Sequence, residues 1–453
     1  MKTKGHFVIT VIIVSMLFLC LNIQTGASSI PGEISYNSYD VTKWNCGINS
    51  RDDIGAVINS IISNIKKEQT NKNLNGGGKP GAIIYIPSGD YHLKTQVLID
   101  VSFIKIQGAG HGFTSSSIRY NSNVNNWHEI WPGGSHIIVD IPTSAEKSIK
   151  DGAAFRISRT GEPRLSGIEF ENLCIDGGHF VDYTNTASNP ENTYTNRKTG
   201  ILIETANDSF CIRNMGMIYL EHGIISHSSD AMNISDNFIA ECGNAIELLD
   251  SGQSSKVTDN LIGAGYIGHS IFAENFNNLL VSGNNVFPRG DSSVRFKNVS
   301  HSTITGNHLH SFYPGIIVLE DTCNDNLISS NNIFREHEPW GPMQRYNNGK
   351  DDLYGIIQIN GNRNSVLCNK ITIELAPEDV IPSAVAVTAI HMITGTENLI
   401  STNHITGHTP TGKKLQVTSV LFRNGVIGNT VLDSGKNNET SFDKTKNVFR
   451  ATP

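Results

Sequence analysis

Residues 232–249 read MNISDNFIAECGNAIELL, and the Asn-x-Ile unit that begins at Asn237 recurs along the chain. Asparagines followed two residues later by an apolar residue, glycine in the case of Asn214, stand at Asn172, Asn214, Asn237, Asn260, Asn284, Asn307, Asn331, Asn369, Asn403 and Asn429. Their spacings are 42, 23, 23, 24, 23, 24, 38, 34 and 26 residues. A period of 23 to 24 held over five consecutive steps is an internal repeat, and a repeat outranks any local reading. The unit is shorter than the roughly 33 to 47 residues of helix-pair solenoids. Its apolar runs, such as Ile224-Ile225, Phe238-Ile239 and residues 245–248, are short, rich in β-branched side chains, and separated by Gly, Asn, Asp and Ser, which are turn residues. Three short strands with their turns fill one such unit, so the expected fold is all-β: a right-handed parallel β-helix with coils of about 23 residues. An Asn at the same turn of every coil stacks at about the 4.8 Å strand spacing, its amide bonded to the amides above and below. The longer spacings read as coils that carry insertions.

A solenoid grows by adding coils, so 453 residues need no second domain. Charged residues make up 17% of the chain and glycine 42 positions, as many short strands and turns require. The net charge of −7 comes without any basic run, which argues against a nucleic-acid partner and favours a neutral glycan over a polyanionic one. Residues 1–27 have the form of a secretion signal: Lys2 and Lys4, an apolar run over 7–21, then Thr25-Gly26-Ala27. Asn22 and Gln24 break that run, so no membrane span is expected once the signal is removed, and the protein is expected to be extracellular. In residues 28–80, Asp52-Asp53 opens a helix with Ile54, Val57, Ile58, Ile61, Ile62 and Ile65 on one face. The first coil of a β-helix would otherwise be a sticky edge, and this helix is its cap. The β-helix is expected over 81–434, and 435–453 read as a polar tail.

Six cysteines follow the signal: Cys46, Cys174, Cys211, Cys242, Cys323 and Cys368. No CxxC spacing occurs among them, so neither zinc nor any other metal is expected. Their apolar settings suit free thiols that fill the stack better than a disulfide framework. The run Gly76-Gly77-Gly78 is followed by no Gly-Lys-Ser/Thr, so it reads as a linker and not a phosphate loop.

Long loops on a repeat scaffold gather on one face and build a site there. One such loop, residues 121–135, holds Trp127, His128 and Trp131; a second, residues 335–352, holds Trp340 and Tyr346. These rings either pack beneath their loops or offer flat faces to sugar rings. A third insertion, residues 374–396, carries an apolar run and His391, which suits contact with another subunit. Most solenoid carboxylates are merely solvated. Glu247 differs, because it interrupts the apolar strand run Ala245-Ile246-Glu247-Leu248-Leu249. Asp236 precedes Asn237 as Asp259 precedes Asn260, and that recurrence favours a turn role. Glu241, Asp230, Asp250, Glu274, Asp291 and Glu320 have similar claims on residue type alone.

The coils from Asn172 onward, with the stretch SDNFIAECGNAIELLDSG, resemble the inulin fructotransferases. These are secreted bacterial β-helix enzymes that release cyclic difructose dianhydrides from inulin. The likeness covers essentially the whole mature chain, and the Bacillus-type enzymes making the dianhydride III are the nearest in pattern. It implies that the acidic pair of that family, eleven residues apart, falls on Asp236 and Glu247. It also implies a homotrimer with active sites between neighbouring subunits, and no cofactor. The chemistry suits two carboxylic groups. One protonates the departing oxygen of the β-2,1 linkage; the other takes the proton of the fructose hydroxyl that attacks the anomeric carbon. Because the nucleophile is part of the substrate, its effective concentration is high and no activated water is needed. The apolar strand around Glu247 is expected to raise its pKa and make it the acid, with Asp236 as base.

Three other readings stay open: a relative forming dianhydride I, a β-helix glycoside hydrolase or polysaccharide lyase, and a non-catalytic sugar-binding solenoid. A pectin lyase needs acids for Ca²⁺ and a basic groove residue, which Arg289, Asp291 and Arg295 imitate; fold alone does not decide.

Overall fold

The computed structural model describes residues 37–71, 81–112, 133–161, 164–287, 292–337, 354–376, 387–423, 425–432, 434 and 448–450. The chain divides after Ser38, and the architecture below is that of the unit Tyr39–Pro453. Each coil lays one strand in each of three parallel sheets. In the coil that contains the opening stretch these strands are Asn233–Ser235, Phe238–Ala240 and Asn244–Leu249. The next coil repeats them as Lys256–Thr258, Leu261–Gly263 and His269–Glu274, paired in parallel through Asn233↔Lys256, Phe238↔Leu261 and Ile246↔Ile271. Among the described residues the first sheet has 14 strands and the second and third have 11 each. With parallel crossovers the coil winds right-handed. Inward residues of all three strands fill the interior, as with Ile234, Ile239, Ile246 and Leu248 in one coil and Val257, Ile262, Ile271 and Ala273 in the next, all buried. The inward positions stack like on like, so the core is a single continuous column.

The helix Ile54–Asn71 caps the first coil. The six apolar residues named from the sequence are all buried, and the helix packs on the strands Val97–Ile99 and Gly89–Leu93. Asp53 fixes its start. One carboxylate oxygen accepts from the amides of Ala56 (3.4 Å), Lys94 (3.2 Å) and Thr95 (3.1 Å), the other from the Thr95 hydroxyl at 2.6 Å. A helix N-cap is thereby shared with the coil that it covers.

The asparagine ladder runs from Asn237 through Asn260, Asn284, Asn307, Asn331, Asn369 and Asn403 to Ser434. At each rung the Oδ1 accepts both the backbone amide and the side-chain amide of the rung before, at 3.0 and 2.9 Å between Asn237 and Asn260. The Nδ2 also donates to a carbonyl of the coil before, 3.1 Å from Asn237 to Ile212. These amides are buried and fully bonded, which is the condition for a polar group in a core to add specificity and not cost stability.

Three of the ten asparagines assigned from the sequence stand elsewhere. Asn429 belongs to a second, parallel ladder through Asn326, Asn364 and Asn398. That ladder carries the same Asn-x-apolar mark, and Ser434 holds the vacated rung. Asn172 and Asn214 precede the ladder position, which Leu173 and Met215 fill as buried apolar residues. They belong instead to a column of left-handed turn residues with Asp236, Asp259, Ser330, Cys368 and Thr402, all with φ between 50° and 62°, and with Gly283 (φ 68°) and Gly306 (φ 66°). Asn, Asp and Gly are the residues that tolerate this conformation best, so a turn asparagine copied the signature of a ladder asparagine.

All six cysteines are free. Cys242 and Cys323 fill the stack as expected, and burial pushes their thiols up to about 12 and about 11. Cys368 does not: it is exposed in the left-handed column. The insertion 374–396 is corrected too. Of its described residues, Thr388–Thr394 forms a strand of the third sheet with Ala389, Ile390 and Met392 in the core, so that end of the apolar run faces inward; residues 377–386 lie outside the described residues. The tail also contributes structure, since Val448–Arg450 pairs with Thr430–Leu432 as a last strand of the first sheet.

Candidate active site

Glu247 lies in the middle of the strand Asn244–Leu249, between inward Ile246 and Leu248. Strand alternation therefore turns its side chain to the outer face of the third sheet. It is nonetheless only 7% exposed, because three residues at the starts of successive strands close around it. His222 begins the strand of the coil before, Asn244 its own strand, and His269 the strand of the coil after. Parallel register stacks them, with His222 opposite Asn244 and the Asn244 Oδ1 accepting from the His269 amide at 3.2 Å. Glu247 Oε2 is hydrogen-bonded to His222 Nδ1. Its Oε1 accepts from Asn244 Nδ2 at 3.1 Å and lies 3.2 Å from His269 Nε2.

That cage reverses the expected ionisation. Burial alone raises the Glu247 pKa, as the sequence reading supposed, but the charges and hydrogen bonds of His222 and His269 outweigh it and hold the carboxyl at about 2. Glu247 is a carboxylate at neutral pH and carries no proton to donate. Burial lowers the pKa of His222, but Glu247, and then Glu221, raise it above the usual imidazole value.

Glu221 adds a further layer. It is buried, and its Oε2 accepts from the amides of Asn196 (2.9 Å) and Arg197 (2.6 Å), while its Oε1 lies 4.0 Å from His222 Nε2. The segment between the strands Cys174–Asp176 and Thr199–Ile203 carries Phe180 and Tyr194, which cluster with Tyr219 and Tyr266. Tyr194 stacks on Tyr266 at 4.2 Å, and Tyr219 and Tyr266 stand at the corner between the second and third sheets.

Asp236 is not part of this cluster. It is exposed at the corner between the first and second sheets, in the left-handed column, while Glu247 faces out from the third. The core residues Ile234, Ile239 and Ile246 lie between them, and no hydrogen bond or ion pair joins the two. One chain therefore does not bring the pair together.

Arg295 stands in the Glu247 column two coils on, through Glu247↔Phe272↔Arg295, about 10 Å away at the strand spacing. Its guanidinium is engaged by Glu320, with Nε 2.8 Å and Nη2 2.6 Å from Oε2. Trp127, His128, Trp131, Arg289, Asp291 and Trp340 lie outside the described residues, as do residues 1–27. Other rival carboxylates are committed to ion pairs: Asp230 with Arg164, Asp250 with His227, and Glu274 with Lys297. His222 and His269 went unnoticed in the sequence. The signal was there, since they stand 25 and 22 residues from Glu247, about one coil on either side.

Among the described residues no cluster of three or more His, Cys, Asp or Glu is arranged to hold a metal ion. No helix among them is long and apolar enough to cross a membrane.

Comparison with known proteins adds independent findings. Residues 330–453 match the family model described as the β-helix repeat of inulin fructotransferase. Residues 146–340 match that of a periplasmic copper-binding protein, NosD. The chain is 37% identical over 420 residues to the DFA-I-forming inulin fructotransferase of Arthrobacter globiformis, a match that covers 92% of this chain and 99% of that protein. Crystal structures of the DFA-IIIase of Arthrobacter chlorophenolicus A6 superpose on it with a TM-score of 0.86. The form without its lid, in complex with GF2, is 50% identical and the complex with DFA-III 48%; each covers 92% of this chain, and 100% and 99% of the respective structure. The A-module of an Azotobacter vinelandii mannuronan C-5 epimerase, 13% identical with a TM-score of 0.55, shares the fold alone.

Proposed function

The chain belongs to the inulin fructotransferase family, and from that premise we propose that the product it releases from inulin is difructose dianhydride III. One observation carries the choice of product: the structure solved with DFA-III is 48% identical to this chain, whereas the DFA-I-forming relative is 37% identical. The secretion-type residues 1–27 support action outside the cell, where a polymeric fructan is met.

Transfer within the substrate explains the chemistry without an activated water. A hydroxyl of the terminal fructose attacks the anomeric carbon of its neighbour, the bond to the departing fructan breaks, and one proton passes from the attacking to the leaving oxygen. Asp236 is the base for the attacking hydroxyl, and the Glu247 cage serves the leaving side. Because Asp236 and Glu247 stand on different faces of one coil, the pair forms between chains, with Asp236 of one meeting Glu247 of the next in a homotrimer.

The test is a digest of inulin by the full mature chain, with the disaccharide product identified by NMR. Dianhydride III is expected; dianhydride I overturns the proposal. A second reading, favoured by the likeness to a DFA-IIIase bound to DFA-III, is that the chain opens this dianhydride. Purified dianhydride III supplied alone is expected to persist, and its conversion to inulobiose would select that second reading.

A further inference from the structure

Glu247 is surrounded by proton donors and carries no proton of its own, so the proton that the leaving oxygen needs comes from elsewhere. We propose that His269 is the general acid of the fructosyl transfer, with Glu247 as the carboxylate that aims it. This rests on the function proposed above and names the proton donor of that same site.

Among the described residues two imidazoles reach Glu247, His222 and His269, and their positions differ. His222 meets Glu247 Oε2 through Nδ1, and its Nε2 faces Glu221 Oε1 at 4.0 Å. Held between two buried carboxylates, it keeps its proton and balances their charge. His269 meets Glu247 Oε1 through Nε2 at 3.2 Å, and among the described residues nothing bonds its Nδ1. Its ring rests against Phe272, 4.6 Å between centroids and tilted by 31°, and its backbone is pinned to Asn244. One nitrogen is therefore anchored on a carboxylate, the ring plane is set, and the opposite nitrogen is left to act. A carboxylate that accepts from one imidazole nitrogen favours the form able to give up a proton from the other.

The step balances. The bond between the anomeric carbon and the oxygen of the departing fructan breaks, and that oxygen takes the proton of His269 Nδ1. The attacking hydroxyl forms the new bond to the same carbon and gives its proton to the base. His269 is left neutral, still bonded to Glu247 through Nε2, and is reprotonated from solvent. Nothing is oxidised or reduced.

A general acid is needed in proportion to how poorly the leaving group departs. The test compares inulin with the 4-nitrophenyl β-glycoside of inulobiose, whose phenolate leaves without a proton. On inulin, His269→Gln is expected to lose about 10²- to 10⁴-fold in kcat; on the nitrophenyl substrate it is expected to stay within about ten-fold of the unmodified enzyme. His269→Asn, smaller and equally unable to donate, runs alongside so that the result does not hang on one folded variant. A role limited to packing or positioning would depress both substrates alike, and that result overturns the proposal, as does undiminished turnover of inulin by both variants. Failure of the underlying function is a separate outcome, since the unmodified enzyme would then release no dianhydride from inulin.

Discussion

Glu247→Gln is expected to reduce turnover of inulin by about 10²- to 10⁴-fold while the β-helix stays folded. Glutamine keeps the shape, so no cavity opens in the third sheet. The charge is what changes. Glu247 accepts from His222, Asn244 and His269, and a neutral amide accepts through one oxygen only while turning its NH₂ toward groups that also donate. The buried imidazolium of His222 loses its main counter-charge, and His269 loses its anchor. The same variant has a signature in stability. Glu247 is depressed to about 2, so its contribution is complete above the ordinary carboxyl range and is lost as pH falls from about 4.5 toward 2. His222 is raised, so its contribution is complete below the ordinary imidazole range and is lost as pH rises through its folded value. These are two views of one interaction and are not additive. Thermal unfolding followed against pH should show the variant losing less melting temperature than the parent between pH 4.5 and 2. Near-normal turnover would remove Glu247 from the mechanism, and parallel acid limbs for variant and parent would contradict the depressed Glu247 carboxyl.

Asp236→Asn is expected to lose turnover on a similar scale, about 10²-fold or more, with a nearly unchanged melting temperature. The fold supplies the control. Asp236 and Asp259 occupy the same left-handed turn in successive coils, with φ of 59° and 57°, and asparagine already stands in that column at Asn172 and Asn214. The Asp to Asn change is thus conformationally tolerated at either position. Asp259→Asn should keep activity and stability; Asp236→Asn should keep only stability. If the two variants match in activity, Asp236 merely closes its turn, and the base must be sought elsewhere.

The fold was legible because one coil costs a nearly fixed number of residues, and a buried amide ladder demands the same residue at the same turn. Legibility failed where two positions share a composition. Asn172 and Asn214 satisfy a backbone conformation, Asn237 a buried hydrogen-bond network, and Asn429 a second network in step with the first. Only the parallel register separates them. The same limit applies at the site. Glu247 stood out as an acid in an apolar strand, and that setting alone argued for a raised pKa. Its partners come from the coils before and after, so the His222 and His269 charges that reverse the shift become visible only when the coils are stacked. Asp236 and Glu247 are eleven residues apart in sequence, yet the coil's own core separates their side chains.

That separation makes the shared site the most exposed part of the account. If Asp236 of one chain works with Glu247 of another, two inactive variants can repair each other. Asp236→Asn and Glu247→Gln chains, co-expressed in equal amounts and purified together without separating the assemblies, should recover about a quarter of the parent activity per site, since random pairing leaves that share of interfaces with both carboxylates intact. Activity no greater than that of either variant alone would contradict a site built from two chains.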